Sequence, residues 1–417
     1  MEWLERHQLP RMRWIGRTNR YFQREGLLVD DCTGNGIREK DVALYVAGSS
    51  VLHAVDGWSY AGRALESLSR GDAATATHLG YYASLRAAMS LLATEGIGIF
   101  NTRHVAILPP PWSAAPPSVI SRGTHVIAWF ALEHWATYVR SGDLIGKIIS
   151  PFRIPLSDWL GSRPGNQWRP VARDWLLDWG ADLRQLARDR DLRNRASYRP
   201  HSDHPSAVSP HHEFVAEVWR LCEPAGGSVF QALDIELLRR SLEVGFQARH
   251  GRPAIGDAQF AEEVQQALED NGQDGNAQLR NTLLRTGGLT DSPLIELAGV
   301  SSHVGSATAH LEVISRALLL LRLATGSTAE LLRDAGIDRK SVEFWWLELL
   351  DARGIWDGGI TPSLDELWDD LADALDDVRA AAAAKPPVSA VDWLTGNAAS
   401  HARLVGLERI AVGGLLF

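Results

Sequence analysis

The stretch Asp72-Ala-Ala-Thr-Ala-Thr-His-Leu-Gly-Tyr-Tyr-Ala-Ser-Leu-Arg-Ala-Ala-Met-Ser-Leu-Leu-Ala-Thr-Glu95 is the most regular segment in the first half of the chain. Leu79, Tyr82, Ala83, Leu85, Ala88, Met89 and Leu92 recur at spacings of three and four, which brings apolar side chains onto one face of a helix. No proline interrupts the run, and Gly96-Ile-Gly98 ends it. The spacing predicts a long helix with a wide apolar face, and such a face needs other helices to cover it. Upstream, Asp41–Ala47 and Gly57–Leu68 have the same character. Downstream, Ile97–Leu108 suits a short extended piece, and Pro109–Pro117 reads as a loop because consecutive prolines donate no backbone hydrogen bond. That loop also has the composition of a proline-motif ligand.

Helical periodicity then resumes over Val126–Arg140, around Trp129, Leu132 and Trp135, and over Val171–Arg190, around Trp175, Leu176, Trp179, Leu183 and Leu186. In the second half the expected helices are Glu213–Leu221, Phe230–His250, Asp257–Asp270, Leu279–Arg285 and His310–Ala324. The run Val313–Ala324 is the most apolar, but it is too short for a membrane span and contains Arg316 and Arg322, so it reads as a buried helix. Thr328–Leu350 has a helix-turn-helix outline with its turn at Ala335-Gly-Ile337. Its second helix, with Phe344, Trp345, Leu347 and Leu350, offers few donors to base edges and suits an interior pair better than a DNA reader. Ser84–Ala93 and Ser315–Ala324 echo one another in sequence. The expected class is mainly α, a set of multi-helix bundles. Its expected organisation is a basic aromatic arm over residues 1–39, a helical domain over 40–215 and a second helical domain over 216–417 that ends in an acidic region.

The composition narrows the function. Of 417 residues, 45% are hydrophobic and 22% charged, as in globular chains, and the 16 tryptophans promise large aromatic anchors between helices. A net charge of -9 argues against indiscriminate coating of nucleic acid or anionic membrane, and leaves room for a local basic site. Cys32 and Cys222 are too few for a disulfide framework or a cysteine zinc site, and with no signal-peptide core at Met1 they fit a cytoplasmic location. Residues 1–25 interleave Arg6, Arg11, Arg13, Arg17, Arg20 and Arg24 with Trp3, Trp14, Tyr21 and Phe22. Such a segment can grip a polyanion, and more often packs on its own domain. The glycines of Asp31–Gly36 lack a following Gly-Lys-Ser/Thr, so they make a turn and not a nucleotide loop. The histidines at 104, 125 and 134 match no metal spacing, and those at 201, 204, 211 and 212 lie in or beside a proline-rich loop. No metal or other cofactor is expected. The acidic stretch Asp351–Asp377 reads as a solvated face, or as a dock for a basic partner or for the N-terminal arm.

The best concentration of chemistry is Asp191-Leu-Arg193-Asn194-Arg195-Ala-Ser-Tyr198-Arg199-Pro-His201. An arginine fork matches phosphate oxygens, and a histidine titrates near neutrality, so Arg195 and His201 together form an anion clamp and a general acid or base. The competing reading pairs these arginines with Asp182, Asp189 and Asp191 on a solvated helix face. A helix C-terminus does not favour phosphate, so the arginines themselves must supply the attraction.

With these residues laid out, the first half, about residues 40–215, resembles the HEPN superfamily of helical domains, many of them RNases of toxin, CRISPR or antiphage systems. The resemblance rests on Arg195 and His201, with five residues between them near the end of a late helix, and on the earlier helix carrying Tyr81–Met89. It implies a metal-independent endoribonuclease or RNA-binding subunit of a bacterial antiphage defence system. Arg195 would hold the phosphate, His201 would move the proton, Asn194 or Tyr198 would orient the scissile group, and Arg193 and Arg199 would bind substrate. It further implies RNA and other defence proteins as partners, no membrane, and a homodimer or hetero-complex with one Arg/His set from each protomer. Two other readings compete: a non-catalytic helical scaffold with tryptophan-rich contact surfaces, and a DNA-binding regulator using residues 328–350.

Overall fold

The computed structural model describes residues 14–24, 26–33, 36–101, 103–108, 113–115, 123–161, 171–198, 211–301, 306–356, 362–384 and 390–417. Helices α1 (Gly26–Thr33), α2 (Glu39–Ser69) and α3 (Ala73–Thr94) lead into strands β1 (Ile97–Phe100), β2 (Arg103–Leu108) and β3 (Ser113–Ala115). Next come α4 (Thr124–Trp135), α5 (Val139–Ile148), α6 (Leu156–Gly161), α7 (Ala172–Asp178), α8 (Leu183–Tyr198) and α9 (His212–Leu221). The rest of the chain is α10 (Gln231–His250), α11 (Ala258–Asp270), α12 (Ala277–Leu283), α13 (Pro293–Gly299), α14 (Ala309–Asp334), α15 (Glu343–Ala352), α16 (Asp369–Ala384), α17 (Ala390–Gly396), α18 (Ala398–Leu404) and α19 (Glu408–Leu416). The protein is mainly α, as its periodicity predicts.

Three long helices, α2, α3 and α14, pack on one another at the centre. Small residues set the approach: a Cβ on Gly57 of α2 would stand 2.5 Å from the Leu321 side chain, and one on Gly80 of α3 would stand 2.9 Å from that of Ile314. Short polar side chains bind across the same contacts. Ser90 donates to the Ser50 carbonyl at 2.7 Å and lies 3.1 Å from the Thr328 hydroxyl, and Trp58 Nε1 donates to Thr325 at 2.9 Å. The two segments that echo one another in sequence therefore belong to α3 and α14, which lie side by side. Asp72 caps α3 by accepting from the Thr75 amide, and Gly71, at φ +72°, makes the turn that precedes it.

Several boundaries differ from the sequence reading. Asp41–Ala47 and Gly57–Leu68 join in one helix, α2, because the one intervening glycine, Gly48, is covered by Trp14 and Ile15 and no proline breaks the run. Val171–Arg190 is instead two helices, α7 and α8, parted at Gly180, whose φ of +87° suits glycine. A Cβ there would stand 2.9 Å from the Gly299 Cα. Val126–Arg140 also divides, into α4 and α5. The extended piece Ile97–Leu108 forms β1 and β2, and the stretch Pro109–Pro117, read as a loop, supplies a third strand, β3, by pairing Ser113–Ala115 to β2; the antiparallel order is β1-β2-β3, with Ile97 opposite Ala106 and Phe100 opposite Arg103.

The larger of two apolar cores runs from Trp14 to Leu415 and is continuous across residue 215, and a smaller one gathers Tyr21, Leu28, Val42, Val46, Ala93, Phe100 and Val105. No described tryptophan is exposed, so the tryptophan-rich helices turn their indoles inward. The described part of the N-terminal arm packs on its own fold. Trp14 lies against Trp345 at 5.3 Å between ring centroids, and Tyr21 is buried beside an Arg20–Asp31 ion pair. The apolar side of α15 is taken up in the same way, with Trp346 and Leu350 in the core. On α16, Asp369, Asp373 and Asp376 are exposed, Asp370 binds Arg409 and Asp377 accepts from Ser400. No helix among the described residues is long and apolar enough to cross a membrane.

The arginines within the apolar run of α14 are buried and paired. Arg316 makes a two-pronged contact with Asp189 of α8 at 2.7 and 2.9 Å, and also donates to the Ala298 and Val300 carbonyls. Arg322 holds Asp234 of α10 through two bonds of 2.8 Å and lies over the Phe230 ring.

Candidate functional site

Helix α8 turns Leu183, Leu186, Leu192 and Ala196 inward and carries Asp189 among them. Its last turn leans on α3. Arg193 reaches back along this contact, with Nη2 donating to the Tyr82 hydroxyl at 2.5 Å and Nη1 donating to Asn194 Oδ1 at 2.8 Å. Its guanidinium carbon lies 5.1 Å from the Tyr82 ring centroid and 5.7 Å from that of Tyr81, close enough for cation–π attraction. Arg193 Nε is buried and finds no acceptor among the described residues.

Two histidines complete the cluster. His78, one turn before Tyr82 on α3, has its ring 5.0 Å from the Tyr82 ring and its Nδ1 2.6 Å from Ser197 Oγ. His125, in the first turn of α4, stacks on Tyr81 at 5.7 Å, lies 5.7 Å from Tyr82, and brings Nδ1 to 3.1 Å from the Tyr81 hydroxyl. Trp129 Nε1 donates to that same hydroxyl at 3.1 Å, and Tyr60 of α2 stacks on Tyr82 at 5.5 Å. Burial, and then the Arg193 charge, hold both histidines below their usual range; Arg190 adds to the effect at His125. Burial pushes the Tyr81 phenol up to about 12. At neutral pH the site thus presents one fixed cation, two neutral imidazoles and a neutral phenol.

The sequence-predicted residues fall into three groups. Arg193 and Asn194 sit in this cluster. Arg195 is half-buried two positions further along α8, a different side of the helix from Arg193, and Tyr198 is 81% exposed. Arg199 and His201 lie outside the described residues. The carboxylates weighed as partners for these arginines are engaged elsewhere: Asp182 with Arg184, Asp189 with Arg316, and Asp191 with Arg190 at 3.8 Å. Sequence reasoning did not single out His78, although it shares the helical stripe of Tyr81, Tyr82 and Leu85, and it saw His125 only as a failed metal ligand.

Other chemistry is sparse. Among the described residues no three His, Cys, Asp or Glu side chains come together to hold a metal ion. His211 and His310 face each other at 3.3 Å, and burial lowers His310 to about 4. The histidine-bearing loop 201–210 lies outside the described residues. Cys222 is buried, which pushes its thiol up to about 12 and out of the range of a reactive nucleophile. No known protein-family model, curated protein or solved structure matches the chain.

Proposed function

We propose that the chain acts on RNA, as a metal-independent endoribonuclease working at the C-terminal end of α8. The observation that carries this reading is Arg193. It is fixed in place by Tyr82 and Asn194, it keeps further Nη hydrogens for an anion, and it stands beside two imidazoles that are neutral at physiological pH. The resemblance to the HEPN superfamily points the same way and extends the site to Arg195, Arg199, Tyr198 and His201, to a second protomer, and to a role in bacterial antiphage defence.

In this reading Arg193 grips the scissile phosphate and stabilises the charge that develops on it. Asn194, hydrogen-bonded to Arg193, keeps the guanidinium aimed. The ribose 2'-hydroxyl is the nucleophile, so the products end in a cyclic phosphate and a 5'-hydroxyl. The test is incubation of the purified protein with single-stranded RNA in EDTA, with the ends identified by mass spectrometry. Cyclic-phosphate ends that vanish in Arg193→Ala are expected. Intact RNA at every protein concentration would move the assignment to a non-catalytic subunit. One observation favours that second reading: Phe130 and His134 of α4 and Tyr138, just before α5, form an exposed aromatic ridge, with Phe130 56% and Tyr138 53% exposed, of the kind that a protein partner covers.

A further inference from the structure

We propose that His78 is the proton-transfer residue of this site and His125 a neutral donor that stabilises charge, the two held as opposite tautomers so that His78 offers a bare Nε2 lone pair and His125 an Nε2–H to a phosphodiester held by Arg193. The inference rests on the RNA reading above and adds to it the two residues that neither the sequence pattern nor the resemblance supplies.

The proposed tautomers follow from hydrogen-bond accounting in which Tyr81 gives its proton to His125 and Ser197 gives its proton to the Arg193 carbonyl. An indole nitrogen can only donate, and Trp129 Nε1 donates to the Tyr81 hydroxyl. Tyr81 is fully buried and must place its own proton. His125 Nδ1, at 3.1 Å, is the acceptor beside it, so the proton of His125 sits on Nε2. At the other histidine, Ser197 Oγ donates its single proton to the Arg193 carbonyl at 2.9 Å. It can then only accept from His78 Nδ1, at 2.6 Å, which leaves His78 Nε2 without a proton. Both rings pack against Tyr82, the residue that Arg193 grips. Burial and the arginine charge keep both rings neutral at physiological pH, so the base is ready to work.

The step follows. His78 Nε2 takes the proton from the ribose 2'-hydroxyl as the O2'–P bond forms. The P–O5' bond breaks, and the departing O5' receives the proton back from the His78 imidazolium. Arg193 and the His125 Nε2–H donate to the non-bridging oxygens throughout, so His125 stabilises charge and stays neutral. The products are a 2',3'-cyclic phosphate and a 5'-hydroxyl.

The experiment compares wild type, His78→Gly, His125→Phe, Arg193→Ala and His201→Ala on a single-stranded RNA oligonucleotide in EDTA. His78→Gly is expected to lose on the order of a hundredfold or more in rate and to recover with free imidazole; His125→Phe is expected to lose about as much without recovery. Full activity in His78→Gly alongside an inactive Arg193→Ala or His201→Ala would overturn this inference while the RNase reading stands. A wild type that leaves RNA intact would overturn the nuclease and this catalytic step together. Nitrogen-15 NMR of the histidine rings judges the tautomers separately. Protons on His78 Nδ1 and His125 Nε2, both rings shifting with a 2'-O-methyl RNA that cannot be cleaved, support a binding site built this way; the same tautomer on both rings overturns it.

Discussion

Removing the Asp189 carboxylate should loosen the helix that carries the site before it unfolds anything else. Asp189 and Arg316 are 0% and 1% exposed, and each of the two carboxylate oxygens takes one guanidinium N–H. In Asp189→Ala the guanidinium stays buried and keeps the Ala298 and Val300 carbonyls, but it loses the carboxylate that balances its charge, and arginine cannot shed that charge. Breaking a buried pair from one side costs roughly 3–5 kcal/mol. Arg316→Met leaves a buried carboxylate, which can escape by taking up a proton. Burial already holds Asp189 above the usual carboxylate range, and losing Arg316 removes the main influence that lowers it. With its folded-state pKa above the unfolded value, the folded protein binds the proton more readily, so stability in Arg316→Met is greater at low pH and falls as pH rises through that window. The damage in Arg316→Met should therefore shrink from pH 7 to pH 5, and that in Asp189→Ala should not. Amide exchange of peptides spanning residues 183–198 reads the local opening free energy directly. Asp189→Ala should accelerate it by about a hundredfold to several thousandfold at pH 7. Exchange within about threefold of wild type would show that the pair does not hold α8 in place.

Arg193→Ala should weaken binding of single-stranded RNA by about tenfold or more. Arg193→Lys should recover only part of it, because an ammonium replaces the charge and not the planar fork; fluorescence anisotropy at fixed salt checks both. Burial, reinforced by Arg86, lowers buried His53 to about 3, and burial chiefly lowers His310 to about 4. The unfolded chain therefore binds protons that the folded chain refuses, and stability drops as pH falls below about 6.5, by roughly 1.4 kcal/mol per pH unit for each of the two. In His53→Asn the slope of unfolding free energy against pH between 6 and 4 should lose one such contribution, whatever the absolute stability of the variant. Gly80→Val should cost about 1–3 kcal/mol or more in a thermal or denaturant scan, since the new side chain meets Ile314 in a contact that has no room for it.

The helix α3 was legible because its apolar positions keep one period without interruption, and that signal survives any tertiary context. Arg316 and Arg322 were legible only as flaws in an apolar run. Their partners lie 127 and 88 residues away, so nothing local announces a buried ion pair. The break at Gly180 escaped for a related reason. Glycine inside a helical pattern is usually tolerated, and the close approach of Gly299 that exploits it comes from another part of the chain. The same logic applies to the site. Arg193 and Asn194 stood out because charge crowds that segment, whereas His78 gains its meaning only when Ser197 and Arg193, more than a hundred residues later, dock beside it. His125 meets Tyr81, which in turn meets Trp129, a grouping that no spacing rule encodes.

The central position of α14 explains why the site cannot be assigned to the first half alone. Its small-residue contacts with α3 fix the helix that bears His78, Tyr81 and Tyr82. Its Arg316 fixes α8 at Asp189, one helical turn before Arg193. Both sides of the Arg193–Tyr82 contact are thus referenced to one rigid element from beyond residue 300, and a shift of α14 against either helix would change the distance between the guanidinium and the imidazoles. A helix that supplies no side chain to the cluster therefore governs its geometry, and the buried arginine that looked like an interruption in an apolar run is how it does so.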